Sequence, residues 1–133
     1  MKITDLKPTI VWKFFHQVTQ VPRPSKKEGK MIEFLESFAK EYKIAIKKDE
    51  AGNLLMSKPA TPGMEDRPVV VLQSHMDMVC EKNNGTKHDF DNDPIETIVD
   101  GEWLRANGTT LGADNGIGVA AELALLASDD KIG

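Results

Sequence analysis

Ser74-His75-Met76-Asp77-Met78-Val79 and, further along, Gly108-Thr109-Thr110-Leu111-Gly112-Ala113-Asp114-Asn115-Gly116 are the two stretches on which the reading of this chain turns. The first follows Val69-Val70-Val71-Leu72, an unbroken apolar run of the kind that forms a strand buried on both faces. Side chains two apart on a strand point to the same side. His75 and Asp77 are therefore expected to face one pocket while Met76 and Met78 face the core. A carboxylate beside a histidine fixes the imidazole tautomer and raises its basicity, which prepares the ring to bind a metal. Asp114 stands just ahead of an apolar helical stretch and offers two more oxygens. On this reading His75 and Asp114 are the candidate metal ligands, and Asp77 is the candidate catalytic carboxylate that orients His75.

Both positions also have a plain structural reading. His75 fits a satisfied core histidine with Asp77 as its hydrogen-bond partner, and spacing alone does not separate the two roles. Asp114 fits an N-cap for the helix that begins near Asn115. A different class of function is also open. Gly116-Ile117-Gly118-Val119-Ala120-Ala121 has the G-x-G-x-x-A form of a dinucleotide fingerprint. That fingerprint directly follows a strand, whereas here Leu111 to Asn115 intervene. Asp114 would also set a negative charge where a pyrophosphate sits at a helix N-terminus.

Taken together, the two stretches resemble the co-catalytic zinc peptidases that include the aminoacylases and many dipeptidases. The fuller run Asp100-Gly101-Glu102-Trp103-Leu104, then Ala106-Asn107-Gly108 through Ile117-Gly118, is similar to one branch of them, the bacterial cytosolic aminoacyl-histidine dipeptidases. The resemblance extends along essentially the whole chain. It implies an α/β fold, the N-terminal part of a three-layer α/β/α sandwich, with residues 1–133 forming the first part of the catalytic domain and a smaller inserted domain absent. It implies hydrolysis of dipeptides, aminoacyl-histidine among them, by a metal-activated water. Two zinc ions (Zn2+) are implied, His75 and Asp114 being ligands and Asp114 bridging the pair. A general-base glutamate, a neighbouring glutamate ligand, and a further aspartate and histidine are implied downstream. None of these lies in this chain, so the fragment alone is expected to be inactive. A cis peptide bond at Asp114-Asn115 is implied as well.

Composition bounds the rest. Seventeen basic against twenty-one acidic residues give a net charge of −4, with no basic stripe, so nucleic acid is not an expected partner. Cys80 is the one cysteine, which excludes a disulfide within the chain and suits a reducing compartment. The first residues lack the apolar core of a signal peptide, and no stretch is long enough to span a bilayer. A soluble cytoplasmic protein with no membrane partner is the expectation.

Periodicity supplies the remaining elements. Leu6, Ile10, Phe14 and Val18 recur at helical spacing, Pro8 suits the first turn of that helix, and Pro22 and Pro24 end it. Ser25-Lys26-Lys27-Glu28 reads as a capping box for a second helix to about Tyr42. Lys43 to Lys47 and Leu54 to Ser57 read as a strand pair turned at Asp49–Asn53, and Pro59–Pro68 as a loop. Asp100-Gly101 reads as a hairpin turn with Trp103 packed on the body. Gly116 to Ala127 reads as a buried helix. His16 is expected at the surface and His88 in a solvated loop, neither as a ligand. With a central strand deprived of neighbours, self-association is expected.

Overall fold

The computed structural model describes residues 1–130. After a 3-10 turn at Ile3–Asp5 come two helices, α1 (Thr9–Thr19) and α2 (Gly29–Glu41), then a hairpin of β1 (Ala45–Lys48) and β2 (Leu54–Ser57). A second hairpin, β3 (Thr97–Asp100) and β4 (Trp103–Ala106), precedes helix α3 (Ala113–Ala127). Both hairpins are antiparallel and separate, with Ala45 opposite Ser57 in one and Thr97 opposite Ala106 in the other.

α1 is the centre of the core because its apolar positions recur every three or four residues. Phe14, Phe15 and Val18 are fully buried and meet Val119, Ala120, Leu123 and Ala124 of α3. α2 closes the other side through Met31, Leu35 and Phe38. Phe38 stacks edge-on against Phe14 at 5.5 Å and lies 4.6 Å from the Tyr42 ring. Each such aromatic or aliphatic side chain withdrawn from water contributes on the order of 2 kcal/mol. Most core positions are therefore occupied as the helical periodicity requires, but Ile10 is 41% exposed, Leu6 lies ahead of α1 and is half buried, and Ile32 stays half exposed at the flank.

Several local expectations are corrected. Ser25 does not cap α2; Glu28 occupies the cap position, and the Ser25 hydroxyl is turned to Asp77 instead. The second hairpin turns on Gly101-Glu102, one residue later than expected, because Asp100 pairs with Trp103. Gly101 takes the positive φ of 60° that this tight turn demands. Trp103 is 78% exposed and packs on nothing that buries it. Val69-Val70-Val71-Leu72 forms no strand: the four residues are 90, 70, 79 and 54% exposed. The reason is the nature of a strand, whose hydrogen bonds belong to its neighbour. Among the described residues nothing pairs with this run. Beside it lies an open groove of about 1120 Å³, bordered by Leu35, Leu54, Val119 and Leu126.

Two irregular pairings bring the two motif segments together. Pro24 bridges Met78 in parallel, with the Met78 amide donating to the Arg23 carbonyl at 3.0 Å. Lys82 bridges Thr109 in antiparallel fashion, flanked by Asn83 N–H donating to Gly108 O at 2.8 Å and Thr110 N–H to Glu81 O at 2.8 Å. The segment after His75 is thereby laid against the segment before Asp114. Thirty-nine positions of sequence separation collapse to contact.

Candidate metal centre

His75 lies between two carboxylates. Its Nδ1 is 2.9 Å from Asp77 Oδ1, and its Nε2 is 3.0 Å from Asp114 Oδ1. An imidazolium donates to both; with either proton removed, one nitrogen presents a lone pair. The Asp114 hydrogen bond, with Asp77 behind it, holds the His75 pKa above its ordinary 6.5. Asp77 has both oxygens engaged, Oδ1 by His75 and Oδ2 by the Ser25 hydroxyl. Ser25 first, then His75, keeps the Asp77 carboxyl below the ordinary carboxylate range. Met78, one residue on, is buried, and Met76 packs against the core, so the alternation expected along this segment holds.

Asp114 is presented differently. Its side chain is 97% exposed, and the peptide bond to Asn115 is cis, as the motif implies. Asp114 and Asn115 both fall outside helical φ/ψ, so the regular part of α3 begins only after them. The cap is Asn115, whose Oδ1 accepts from Gly118 N–H at 3.1 Å. Asp114 is thus relieved of capping and aims its carboxylate at His75. The Gly118 position fits this arrangement closely, since a Cβ there would collide with Asn115 Oδ1. Gly116 likewise meets Arg23 and Phe15. These glycines serve close packing. The strand that must feed a dinucleotide fingerprint is missing, for Gly108–Gly112 has only an isolated bridge.

The residues present suit a divalent metal. Ligand atoms bound at about 2.0–2.1 Å around a tetrahedral zinc stand roughly 3.3 Å apart, and Nε2 and Oδ1 already sit at 3.0 Å. Nδ1 is anchored on a carboxylate, which leaves Nε2 as the free donor, the arrangement metal-binding histidines use. Two ligands make an incomplete shell, and no third carboxylate, histidine or cysteine joins them among the described residues. His16 and His88 lie apart: each has a buried ring nitrogen without a hydrogen bond, and His88 packs its ring on Phe90 at 4.5 Å, half buried where solvation was expected.

Three contributors were not read from the sequence. Ser25 carried a local signal, the capping box, that a partner 52 residues away overrides. Asn115 was visible only as the neighbour of Asp114. Arg23 gave no signal, lying between two prolines at a helix end, yet it is 1% exposed beneath the site. Burial pulls its guanidinium pKa below the ordinary value, and the Asp77 carboxylate pulls the other way.

Comparison with known proteins agrees with the motifs. No protein-family model matches the chain. It is 48% identical over 131 residues to the cytosol non-specific dipeptidase of Escherichia coli (strain K12), covering 98% of this chain and 27% of that enzyme. Its backbone matches the crystal structure of aminoacylhistidine dipeptidase from Vibrio alginolyticus with a TM-score of 0.95 at 48% identity, over 98% of this chain and 26% of that one. A tripeptidase from Staphylococcus aureus subsp. aureus Mu50 shares the fold, with a TM-score of 0.70 at 24% identity over 88% of this chain and 31% of that one. The α/β class read from the sequence is that of these enzymes. In sequence and in backbone the chain is a relative of the bacterial dipeptidases, and it spans about a quarter of their length.

Proposed function

We propose that this chain supplies half of a dipeptidase active site, with His75 and Asp114 as metal ligands, Asp114 bridging two zinc ions, and Asp77 orienting His75. The observation that carries the reading is the line Asp77–His75–Asp114, with its two contacts of 2.9 and 3.0 Å. Asp77 holds the proton on Nδ1, so Nε2, which faces Asp114 Oδ1, is the nitrogen that would meet a metal held between the two. Ser25 holds Asp77 in place, so the imidazole cannot swing away without giving up its bond to a fixed carboxylate. Asp114, open to solvent, has a second oxygen free for a neighbouring cation. Bound there, the metal pair supplies Lewis acidity that polarises a peptide carbonyl and acidifies water.

The remaining ligands and the general base are assigned to the rest of a full-length polypeptide, since this chain spans about a quarter of its relatives. Residues 1–133 are read as the first part of its catalytic domain. The substrate class comes from the relatives, which are named for dipeptides and for aminoacyl-histidine. A cytoplasmic setting suits the single cysteine and the cytosolic relative. No helix among the described residues is long and apolar enough to cross a membrane. A non-catalytic relative that keeps the fold for binding is the second reading, and it rests on the incomplete ligand shell.

The full-length protein should hydrolyse an aminoacyl-histidine dipeptide, lose activity on chelation and regain it with zinc. His75→Ala should abolish the recovery. Chelator-resistant hydrolysis would remove the metal from the reading, and no hydrolysis at all would favour the binding relative.

The exposed run Val69–Leu72 supports a second expectation, self-association of this 133-residue chain. Unpaired backbone beside exposed valines is a template for strand addition, and the groove next to it offers apolar surface to cover. Light scattering should give a mass above the monomer, falling toward it in Val70→Lys. A monodisperse monomer at high concentration would count against the idea.

A further inference from the structure

Beneath the line of site residues, one side chain touches both of the segments that carry the ligands. Arg23 Nη1 donates to the carbonyl oxygens of Met76 at 3.2 Å and Asp77 at 3.3 Å. Its Nη2 donates to Gly112 O at 2.7 Å. Met76 is the residue after His75, and Gly112 lies two before Asp114. The main chain of Arg23 is fixed to the same segment, for its carbonyl accepts from Met78 N–H, and Ser25 N–H donates to Met78 O at 3.3 Å. The two glycines of the Asp114 loop admit the guanidinium. A Cβ at Gly112 would stand 2.5 Å from Nη2, and one at Gly116 would stand 2.7 Å from it.

Energetics point away from stability as the purpose. A guanidinium buried on neutral carbonyls gives up its hydration without a carboxylate contact in return, and its Nε has no hydrogen-bond partner. An apolar side chain of similar size would avoid that desolvation but would leave the carbonyls of Met76, Asp77 and Gly112 without this donor. What only arginine offers is a rigid planar fork whose donors keep their acceptors at set separations. We propose that Arg23 is a positioning residue that fixes the His75–Asp114 separation by clamping the carbonyls of Met76, Asp77 and Gly112. The role rests on the reading of His75 and Asp114 as ligands of one metal site.

The test uses the full-length protein with Arg23→Met, Arg23→Lys and, as a core control, Phe38→Leu. Three quantities are read: the ¹⁵N imidazole signals of His75 in metal-free protein, cobalt(II) affinity from visible absorption, and kcat and KM separately. Arg23→Met should displace the His75 signals, weaken cobalt binding by about tenfold or more, and lower kcat with little change in KM. Arg23→Lys keeps the charge without the fork and should recover part of the loss. Phe38→Leu should lower Tm while leaving the His75 signals and cobalt affinity as in the wild type. Wild-type imidazole signals and cobalt affinity in Arg23→Met would overturn the proposal. So would equal displacement in Phe38→Leu at matched Tm, since the effect would then be general loosening. If the wild-type protein takes up no cobalt, the metal reading fails by itself. The metal-free imidazole signals then decide for Arg23, displaced in its favour and unchanged against it.

Discussion

In a full-length dipeptidase carrying this segment, Asp114→Ala is expected to cost about a thousandfold or more in metal affinity and activity, and Asp77→Ala only about 10–100-fold. The asymmetry comes from what each carboxylate touches. Asp77 contacts His75 Nδ1 and the Ser25 hydroxyl, so its loss frees the ring to rotate and makes it less basic, but leaves it present. Partners of that kind tune metal binding within about two decades. Asp114 is proposed to bind both ions. A zinc site worth roughly 10–16 kcal/mol over four ligands assigns about 3–4 kcal/mol to each, or some 10²–10³-fold. A bridging ligand loses that at two metals. The Asp114 side chain is 97% exposed, so its removal takes no packing from the fold, and Tm of the metal-free protein should hardly move. Metal titration with chelator competition, paired with thermal melts, reads both quantities. Equal and mild losses from the two substitutions would refute the division of roles.

Gly112→Ala should destabilise the fold by about 2–5 kcal/mol, and Gly116→Ala by less. Gly112 has φ +71°, a left-handed conformation that costs a residue with a Cβ on the order of 1–2 kcal/mol. The added carbon would also lie 2.5 Å from Arg23 Nη2, 2.9 Å from Met78 Sδ and 3.2 Å from Met78 Cβ. Overpacking of that sort adds roughly 1–3 kcal/mol. At Gly116 the backbone carries no such conformational penalty, and the nearest atoms are Arg23 Nη2 at 2.7 Å and Phe15 Cε2 at 3.1 Å. Denaturant midpoints at constant slope separate the two cases. A Gly112→Ala protein as stable as the parent would mean that Arg23 and Met78 yield freely, and the close packing under the site would lose its significance.

Much of the helical core was legible because periodicity is a local property. Phe14, Val18, Met31, Leu35 and Phe38 could be placed inside from their spacing, and the structure buries them. The pairing of β1 with β2 was legible for the same reason, a short turn between two short runs. Failures came where a partner lies far along the chain or where no described residue supplies one. Val69–Leu72 has the composition of a central strand, but a strand exists only through its neighbours. Ser25 has a capping pattern, and Asp77 outbids it for the hydroxyl. The hydrophobicity of Trp103 points to packing on the body, yet at the hairpin tip, paired only with Asp100, the indole is left in water.

The site divides along the same line. The candidates His75, Asp77 and Asp114 and the kinship to bacterial dipeptidases were legible in sequence through the resemblance of the two motifs taken together, since spacing alone left the plain structural readings of His75 and Asp114 open. Tertiary structure decided that His75 Nε2 meets Asp114 across 39 positions, that Asn115 rather than Asp114 caps the helix, and that a buried arginine spans both segments. The cap is local, three residues long, and follows from the non-helical backbone at Asp114 and Asn115; the other two are contacts between stretches with no spacing relation along the chain. Only folding, which lays Val79–Asn83 against Gly108–Thr110 and Arg23–Ser25 against Asp77–Met78, brings them together.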